Sequence, residues 1–589
     1  MSEMESLLEI KEENKEREDQ KTGFNFLDAI SGLMDRAVGK KKKILPIDIE
    51  DEKDSGTVTG AIGMMGFGSM MQELAKPAPE KEAENPERPK FKTVDVVVVG
   101  AGLAGLSAAY YIHNADRGID MVVLEAKDRV GGRLHTKEMK AKDGVEFYDF
   151  GWQWVSSSHK HIWQLIDKLE LQTYEQKRRG KTFFQQGEEK MVLLPRDTKP
   201  FGMVDNYDFN SLVQKLEALR KSIPLQDPTQ CKNAKELDTI TLQHFVDENT
   251  WFEAPRRYFE TLVLIAMGVS PREMSLLFFL FALCTAGGWD ALFGTEEGCV
   301  KQHRIKGGSQ RICDILAGHV DHSKVKTKDP VVSIDQTDEH LVSVKTSSGF
   351  IYKASRVVVT IPPKYASRIE FTPPMPPERQ NILERMPAGG CMIFVITYEE
   401  AFWRRKGKSG EILRVVDEDL AKTDRNSIPF SAITDATSMD NNPAIMGYVH
   451  APFWLTEPES DRRDAILVGL KSYYGIEALD YVEYKEVDWS NEPYISCHPS
   501  CAMTPGAITN YFHSLLKTFD RYASLNRLSN TSYLYSLRNP HQRVHWAGAE
   551  TASIWYGHME GAVLSGKRAA KEVMSHIRPD IGMDYIDNI

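Results

Sequence analysis

A glycine-rich segment and one acidic residue form the first pattern in the sequence that could support chemistry. The segment has the spacing G-x-G-x-x-G and reads Gly100-Ala101-Gly102-Leu103-Ala104-Gly105. It lies between a β-branched run typical of a buried strand and a helix, and Glu125 ends the next strand twenty residues past Gly105. Gly100 permits a tight turn, Gly102 lets a pyrophosphate approach the helix N-terminus, and Gly105 allows close helix–strand packing. Glu125 can accept hydrogen bonds from a ribose. We therefore predict a dinucleotide-binding site formed by this segment, including Ala104, together with Glu125. The alternative is an ordinary glycine-rich turn between a strand and a helix.

A second pair of glycines narrows the choice of dinucleotide. The segment 129–134 contains Gly131, Gly132 and Arg133, which together could form a second anion cradle. An extended cofactor with two head groups, such as FAD, would use both cradles. The segment resembles the FAD-binding signature of the flavin amine oxidase family, and the resemblance continues through residues 93–578.

The C-terminal part of the sequence carries the most specific resemblance to this family. Residues 545–551 (HWAGAET) and 555–562 (WYGHMEGA) are similar to the segment that closes over the flavin in monoamine oxidases. The resemblance implies that Glu550, near Gly548, contacts the ribityl chain. It also implies that the helix N-terminus near Met559 faces a flavin carbonyl, where a helix dipole stabilises negative charge. Other similar segments are 304–310, 361–363, 371–376 and 329–336, in which the Val331 backbone is implied to receive the adenine.

The resemblance implies a two-domain flavoenzyme of the monoamine oxidase branch rather than the polyamine oxidase or histone demethylase branches. In this family a neutral primary or secondary amine binds above the flavin, which takes up a hydride equivalent from the α-carbon. The imine hydrolyses to an aldehyde and ammonia, and O2 is reduced to H2O2. The protein orients the amine and excludes water, and an apolar pocket favours the uncharged amine. The implied partners are therefore a small-molecule amine and O2.

The first departure from the family pattern is an arginine where most members have a lysine. Counting between Pro363 and Phe371 places Arg368 at the lysine that holds a water at flavin N5. Arginine stays charged and has a rigid fork, so Arg368 could hold a water, bind a substrate carboxylate or accompany slowed chemistry. Lys364, four residues earlier, is a substitute candidate.

The second departure concerns attachment of the flavin. Counting back from 505–509 places His498 and Pro499 where animal monoamine oxidases have the flavin-linked cysteine and the tyrosine after it. Pro499 is similar to bacterial members with noncovalent FAD, so we predict noncovalent FAD; attachment through Cys497 or His498 is the alternative. Cys497, His498 and Cys501 could also suggest a metal site, but no matching second pair accompanies them, and we predict none.

The third departure is the loss of the two tyrosines that flank the amine in the family, because Pro499 and His558 stand at their positions. His558 could be a polar wall, a proton shuttle, or a histidine satisfied by a backbone carbonyl. By the same matching, Tyr398 is expected at the substrate entrance and Lys301 where the family often has glutamine. The candidate catalytic residues are thus Arg368, His558, Tyr398 and Lys301, with Trp152, Trp154 and Tyr556 as further aromatic walls.

Strands and helices in alternation must position these residues. A βαβ start at 93–124 and a final strand and helix at 543–576 predict an α/β protein. Its doubly wound, Rossmann-like FAD-binding domain is built from discontinuous segments and joined to a mixed α+β substrate domain. Strand signals occur at 325–334, 341–346 and 357–361. The predicted FAD-binding segments are 93–170, 302–362 and 490–578, and the substrate-domain segments are 171–301, predicted as helical, and 363–489.

Two helices are predicted within the first substrate-domain segment. Leucines at helical spacing predict a helix over 208–223. The sequence Ser-Pro-Arg-Glu at 270–273 is a capping-box pattern and predicts the start of the apolar helix at 276–284.

The composition excludes several other classes of protein. The chain has 589 residues, with 73 Lys plus Arg, 84 Asp plus Glu and a net charge of −11. This acidic balance argues against nucleic-acid binding, and seven cysteines do not form a disulfide scaffold. We find no secretory signal and no apolar run long enough for a membrane span, and therefore expect a cytoplasmic protein.

The N-terminal extension, residues 1–92, differs in composition from the rest and is predicted to be mostly disordered. It contains a Gly/Met-rich patch from Gly60, a short amphipathic segment at 24–38, and a basic run at 39–43. The basic run could be a nuclear signal, a lipid-binding patch or a solvated run of charges. The sequence does not identify a partner for this extension, and it leaves open whether the chain forms a homodimer. Residues 579–589 are predicted to be a polar C-terminal tail.

Three functions are compatible with these residues. The first is an FAD-dependent amine oxidase. The second is a flavin-binding relative with altered or lost oxidase activity, suggested by Arg368, His558 and the absent tyrosines. The third is an L-amino-acid oxidase, in which Arg368 or Lys301 would hold the substrate carboxylate.

Overall fold

In the computed structural model, the glycine-rich turn directly follows the strand Phe91–Val99, which lies within the unit Pro86–Ile589. The structure describes residues 90–187, 191–195, 198–225, 227–294, 297–415, 428–510, 535–581 and 583–589. The amphipathic segment 24–38, the basic run and the Gly/Met-rich patch lie outside these ranges.

The first sheet has eight strands and carries the dinucleotide pattern near its centre. Phe91–Val99 pairs in parallel with Ile351–Val359 on one side and with Met121–Leu124 on the other. Alternate valines of this strand pack into two different hydrophobic clusters, so the strand is covered on both faces, as its β-branched run predicted. The other strands are Val325–Lys326, Val331–Asp335, Val342–Thr346, Glu370–Thr372 and Val544–Trp546.

The end of the chain returns to this first sheet. Val544–Trp546 pairs in parallel with the last residues of Ile351–Val359. The helix Met559–Ile577 then packs against Leu103–Ala115, the helix that opens at the glycine-rich turn. Two helix N-termini from opposite ends of the sequence therefore lie at the same edge of one sheet, where α/β proteins bind their ligands.

The second sheet has seven strands and no strand in common with the first. Met392–Thr397 lies in its interior, antiparallel to Ala444–Val449 and to Glu483–Asp488. Its remaining strands are Lys181–Gln186, Val192–Leu194, Lys408–Val415 and Ala432–Asp435. Two small two-stranded sheets complete the described strands: Thr136–Ala141 with Gly144–Asp149, and Thr173–Glu175 with His303–Ile305.

Helices cover the sheets and fill most of the stretch from residue 203 to residue 293. The described α-helices are Leu103–Ala115, Lys160–Lys168, Met203–Arg220, Ala234–Thr239, Leu242–Asn249, Glu253–Met267, Leu276–Ala286, Trp289–Phe293, Arg311–Val320, Pro363–Ala366, Pro377–Glu384, Phe402–Arg405, Pro452–Thr456, Glu459–Tyr474, Ala507–Asn510, Tyr535–Arg538, Met559–Ile577 and Met583–Asn588. Within the described ranges, every helix is too short or too polar to span a membrane.

Three details of the fold correct the sequence-based expectations. The strand Glu370–Thr372, which the predicted boundary at 362/363 assigns to the substrate domain, pairs with Val331–Asp335 in the first sheet. The segment 171–301, predicted as helical, begins with three short strands before its helices. The cap of the apolar helix is Ser275, whose side chain accepts a hydrogen bond from Phe278, because residues 271–273 form a turn instead.

Candidate active site

A cavity of about 390 Å³ lies where the glycine-rich turn, the second glycine pair and the final helix meet. Two further predicted residues stand behind its wall: Gly105 packs on the backbone of Gly100, and Glu550 is bonded to Arg133. The predicted residues that line the cavity itself are Gly100, Gly102, Ala104, Glu125, Gly131, Gly132, Arg133, Trp152, Val331, Arg368, Gly548, His558 and Met559.

The helix Leu103–Ala115 presents a free N-terminus to this cavity. It begins after Gly102, and among the described residues no side chain caps its first turn. A Cβ built on Gly102 would meet no atom closer than 3.9 Å, so there is open space beside this turn. Unpaired N–H groups at the positive end of a helix, with space beside them, form an anion site that fits a pyrophosphate.

Glu125 is fixed on the cavity wall by two backbone N–H groups. Its Oε2 accepts a hydrogen bond of 2.7 Å from Ala101, and its Oε1 accepts one of 2.9 Å from Lys127. Burial raises the pKa of Glu125, and the two backbone hydrogen bonds act against this rise. The carboxylate is thereby placed beside the glycine-rich turn, as a ribose-binding group requires.

Arg133 and Glu550 form a bidentate ion pair, although they are 417 residues apart in the sequence. Nη1 of Arg133 donates to Oε1 of Glu550 at 2.5 Å, and Nη2 donates to Oε2 at 2.9 Å. Burial by itself lowers the pKa of Arg133, but Glu550 more than reverses this and leaves the pKa above its usual value. The guanidinium also donates to the carbonyl of Pro499 at 3.1 Å, which ties the segment around residue 499 to the cavity wall.

His558 stands at the N-terminus of the helix Met559–Ile577, within an aromatic wall of the cavity. Its Nδ1 donates to the backbone carbonyl of Tyr556 at 2.7 Å, and its ring centroid lies 4.6 Å from that of Trp152. Burial lowers the pKa of His558 to about 4, so the ring is neutral near pH 7. The contact with Tyr556 matches the sequence-based alternative of a histidine satisfied by a backbone carbonyl.

Arg368 lies between two cavities. It lines the first one and also a second cavity of about 470 Å³, which Lys364 lines as well. Its guanidinium carbon is 5.0 Å from the ring centroid of Tyr365, whose hydroxyl is 2.8 Å from Oγ of Ser496. Among the described residues, no carboxylate forms a salt bridge with either cation. Arg368 is thus positioned by the ring of Tyr365, and its guanidinium N–H groups can bind a carboxylate of a ligand.

Two of the four candidate catalytic residues lie elsewhere. Tyr398, expected at the substrate entrance, is buried in the second sheet's core, where its hydroxyl donates to the Ala478 carbonyl. Lys301 lies with Nζ 5.2 Å from the ring centroid of Trp154, and burial together with Arg178 lowers its pKa. Matching by position along the sequence does not show the direction of a side chain, so the structure places both away from the cavity lining.

Neither residue considered for covalent attachment lines the cavity. Cys497 is fully buried, and its Sγ lies 3.2 Å from that of Cys501. The His498 ring stacks on Trp489 with centroids 5.0 Å apart. Both side chains are engaged with neighbouring protein groups, and this favours the predicted noncovalent binding of FAD.

The sequence pattern missed two aromatic residues of the cavity, Tyr365 and Tyr494. Their ring centroids are 6.2 Å apart, in a tilted arrangement. Tyr365 follows the Ile-Pro-Pro segment by two positions, and that offset was the one available signal. Nothing in the local sequence marks Tyr494, because it reaches the cavity through long-range packing.

Two anion cradles, an acidic ribose-binding residue and a second helix N-terminus around one cavity define an FAD-binding flavoprotein. A model of the family described as "Flavin containing amine oxidoreductase" matches residues 103–574. The chain belongs to this family, in its monoamine oxidase-like branch, and the cofactor of the family is FAD.

Named relatives agree with this assignment. The chain is 31% identical over 489 residues to the probable flavin-containing monoamine oxidase A of Dictyostelium discoideum, covering 81% of this chain and 97% of that protein. It is 31% identical over 496 residues to the human flavin-containing amine oxidase B, covering 82% and 86%. The solved structure of the cyclohexylamine oxidase of Brevibacterium oxydans IH-35A is similar with a TM-score of 0.71 and 25% identity, covering 82% and 99%.

Denaturation is expected to release the flavin from the holoprotein. Because neither Cys497 nor His498 lines the cavity, we expect no covalent bond between the protein and the flavin. Acid precipitation should therefore separate the two. The yellow colour should therefore appear in the supernatant, with the mass of FAD, and the precipitated chain should have its unmodified mass. Colour that stays with the protein, together with a flavin-bearing peptide containing either residue, would contradict the prediction.

Acid is expected to destabilise the protein through its buried histidines. Burial lowers the pKa of His558 to about 4 and, with Arg133 nearby, that of His498 to about 3. An unfolded histidine titrates near about 6.5. Between these values the unfolded chain binds protons that the folded chain does not, so stability falls as the pH falls. Each histidine contributes up to about 1.4 kcal/mol per pH unit.

Urea unfolding at pH 7.5 and at pH 5 tests this expectation. The variant His498→Phe keeps an aromatic ring against Trp489 but removes one titrating group. Its loss of unfolding free energy between the two pH values should be smaller than that of the unchanged protein. Equal losses would show that His498 does not remain neutral in the folded state.

Proposed function

We propose that this protein oxidises a primary or secondary amine to an imine, which hydrolyses to an aldehyde, while O2 is reduced to H2O2. FAD, when bound, supplies the hydride acceptor and the reaction with O2. The observation that carries the proposal is the meeting of two helix N-termini and an aromatic wall around one cavity. The first helix provides an anion site, and the second adds a dipole opposite an aromatic surface.

In this proposal the residues of the first sheet hold the cofactor. The turn at Gly100 and Gly102 receives the pyrophosphate, Glu125 the adenosine ribose, and Val331 the adenine. Arg133 sits at the other cradle and keeps Glu550 in place through its fork. The N–H groups at Met559 would favour negative charge that develops on the flavin.

The amine is proposed to bind against Trp152 and His558. Burial keeps the His558 ring neutral, so it places no positive charge beside the substrate nitrogen. Its Nδ1 is committed to the Tyr556 carbonyl, which fixes the orientation of the ring. An aromatic, water-poor wall favours the uncharged amine, the form that can be oxidised.

A second candidate is the oxidation of amines that also carry a carboxylate, such as amino acids. One observation favours it: Arg368 lines both cavities, and Lys364 lines the second, with no carboxylate partner among the described residues. A substrate whose amine lies in the first cavity could place its carboxylate on the Arg368 fork. Arg368 would then determine specificity for the anionic part of the substrate.

The decisive experiment compares 2-phenylethylamine with L-phenylalanine, which differ by one carboxylate. Anaerobic mixing with the holoprotein should bleach the oxidised flavin with the amine, and admission of O2 should restore the colour and release H2O2. Faster bleaching by the amino acid would support the second candidate. Flavin that dithionite bleaches, but no amine or amino acid does, would contradict oxidase activity of either kind.

Two variants separate the candidates. Arg368→Lys should raise or preserve turnover of the amine, because it restores the residue common in the family, and should lower turnover of the amino acid. Lys364→Met removes a cation that lines the second cavity alone and serves as the matched control. It should leave amine turnover unchanged.

A further inference from the structure

Two cysteine sulfurs touch each other directly behind the cavity wall. The Sγ atoms of Cys497 and Cys501 are 3.2 Å apart, and both side chains are fully buried. The nearby Cys391 does not share this contact; its Sγ lies 3.5 Å from Nδ1 of His498. Cys497 and Cys501 therefore form a separate dithiol, defined by these two residues.

The buried ion pair of Arg133 and Glu550 stands beside this dithiol. One carboxylate oxygen of Glu550 and the two sulfurs lie within 4.8 Å of one another, and both oxygens of Glu550 accept hydrogen bonds from Arg133. Because the guanidinium already occupies that carboxylate, a metal ion at this place would face a positive charge rather than a free ligand. The arrangement is therefore unsuited to a metal ion.

The two thiols lie within hydrogen-bond distance of each other, and either sulfur can be the donor. This contact, together with burial, raises the pKa of the Cys501 thiol. Such a pair has one attacking sulfur and one resolving sulfur within contact distance.

We propose that Cys497 and Cys501 are a peroxide-reactive dithiol that closes to a reversible disulfide. One sulfur of the pair attacks one oxygen of H2O2, the O–O bond breaks, and a sulfenic acid and one water form. The other sulfur then attacks the sulfenic sulfur, the S–O bond breaks, and a second water leaves with the proton of the attacking thiol. Two thiols lose two electrons and two protons, and one peroxide becomes two waters. A small dithiol reductant such as dithiothreitol reverses the change.

Disulfide formation would be transmitted to the cavity. The sulfurs must approach from 3.2 Å to about 2.0 Å, which moves the short segment between them. That segment carries the carbonyl of Pro499, which accepts hydrogen bonds from Arg133 and from Nε1 of Trp152, both at 3.1 Å. Both donors line the cavity, so the absorbance of bound flavin should shift on oxidation.

The test treats the holoprotein with added H2O2 in the absence of any amine. After acid quenching and alkylation under denaturing conditions, two of the seven cysteines should escape alkylation. Both belong to one tryptic peptide, which should lose the mass of two hydrogens and regain it with dithiothreitol. Because H2O2 is added, this result does not depend on the proposed amine oxidation. If the protein also oxidises amines, the H2O2 that it produces from an amine should give the same disulfide peptide.

Matched variants complete the test. Cys497→Ser and Cys501→Ser should each abolish the disulfide peptide and the flavin shift, whereas Cys391→Ser should retain both. If a variant fails to fold, the peptide from the unchanged protein still decides. A peptide with both thiols intact while other cysteines oxidise, or with a sulfinic acid at either cysteine and no disulfide, would overturn the proposal.

Discussion

Replacement of Gly105 by alanine is expected to destabilise the FAD-binding part of this protein. A Cβ at this position would lie 2.0 Å from the carbonyl oxygen of Gly100 and 2.8 Å from Oγ1 of Thr360. The nearer atom is backbone in a turn between a central strand and its helix, so it cannot rotate away. Alanine favours a helix over glycine by about 1 kcal/mol, but overpacking a rigid site costs about 1–3 kcal/mol or more. The clash therefore outweighs the helix preference.

The matched control is Gly102→Ala in the same turn. Gly102 has φ −74° and ψ 176°, which alanine adopts freely, and its Cβ would meet no atom within 3.9 Å. The free energy of unfolding of the apoprotein, measured in urea, should therefore change by less than about 0.5 kcal/mol. The methyl group would enter the space proposed for the pyrophosphate, so FAD affinity should fall at least about tenfold, or about 1.4 kcal/mol. Unchanged FAD affinity would show that the pyrophosphate binds elsewhere.

Loss of Arg133 is expected to have the second large effect. Arg133→Met leaves the Glu550 carboxylate buried, at 3% exposure, without its cation. Removing one partner of a buried ion pair costs about 3–5 kcal/mol, because the other charge stays desolvated. The free energy of unfolding, measured in urea on the apoprotein, should fall by this amount. FAD affinity should also decrease, because Arg133 lines the cavity.

Two further variants identify the cause. The double variant Arg133→Met with Glu550→Gln removes the unpaired charge and should recover part of the loss. Arg405→Met breaks the exposed pair with Glu400, whose side chains are 66% and 62% exposed, and should cost at most about 1 kcal/mol. If the double variant is as unstable as the single one, the loss comes from packing rather than from the charge.

Acidity gives an independent check on the same pair. In Arg133→Met the isolated carboxylate should have a raised pKa, because burial without a cation favours its protonated form. A raised folded pKa contributes stability at low pH that is lost as the pH rises. The difference in free energy of unfolding between the variant and the unchanged protein should therefore become smaller as the pH is lowered. A constant difference would contradict the assignment.

The sequence by itself determined the parts of this protein that depend on local spacing. The glycine pattern with Glu125, the β-branched strand before it, and the segments 545–551 and 555–562 identified the cofactor and the family. These features can be read locally because a strand, a turn and a helix start follow from residues that are neighbours in the chain. The second strand of the βαβ start predicted at 93–124 is Met121–Leu124, which ends at the predicted residue for the same reason.

The tertiary structure alone decided where distant residues meet and which way their side chains point. It joined Arg133 to Glu550, turned Tyr398 into the second sheet's core, and placed Arg368 between two cavities. It also placed the cap of the apolar helix at Ser275 and brought the sulfurs of Cys497 and Cys501 into contact. Counting along a chain assigns a position to a residue. Its direction and partners depend on packing within the whole fold, which local propensity does not describe.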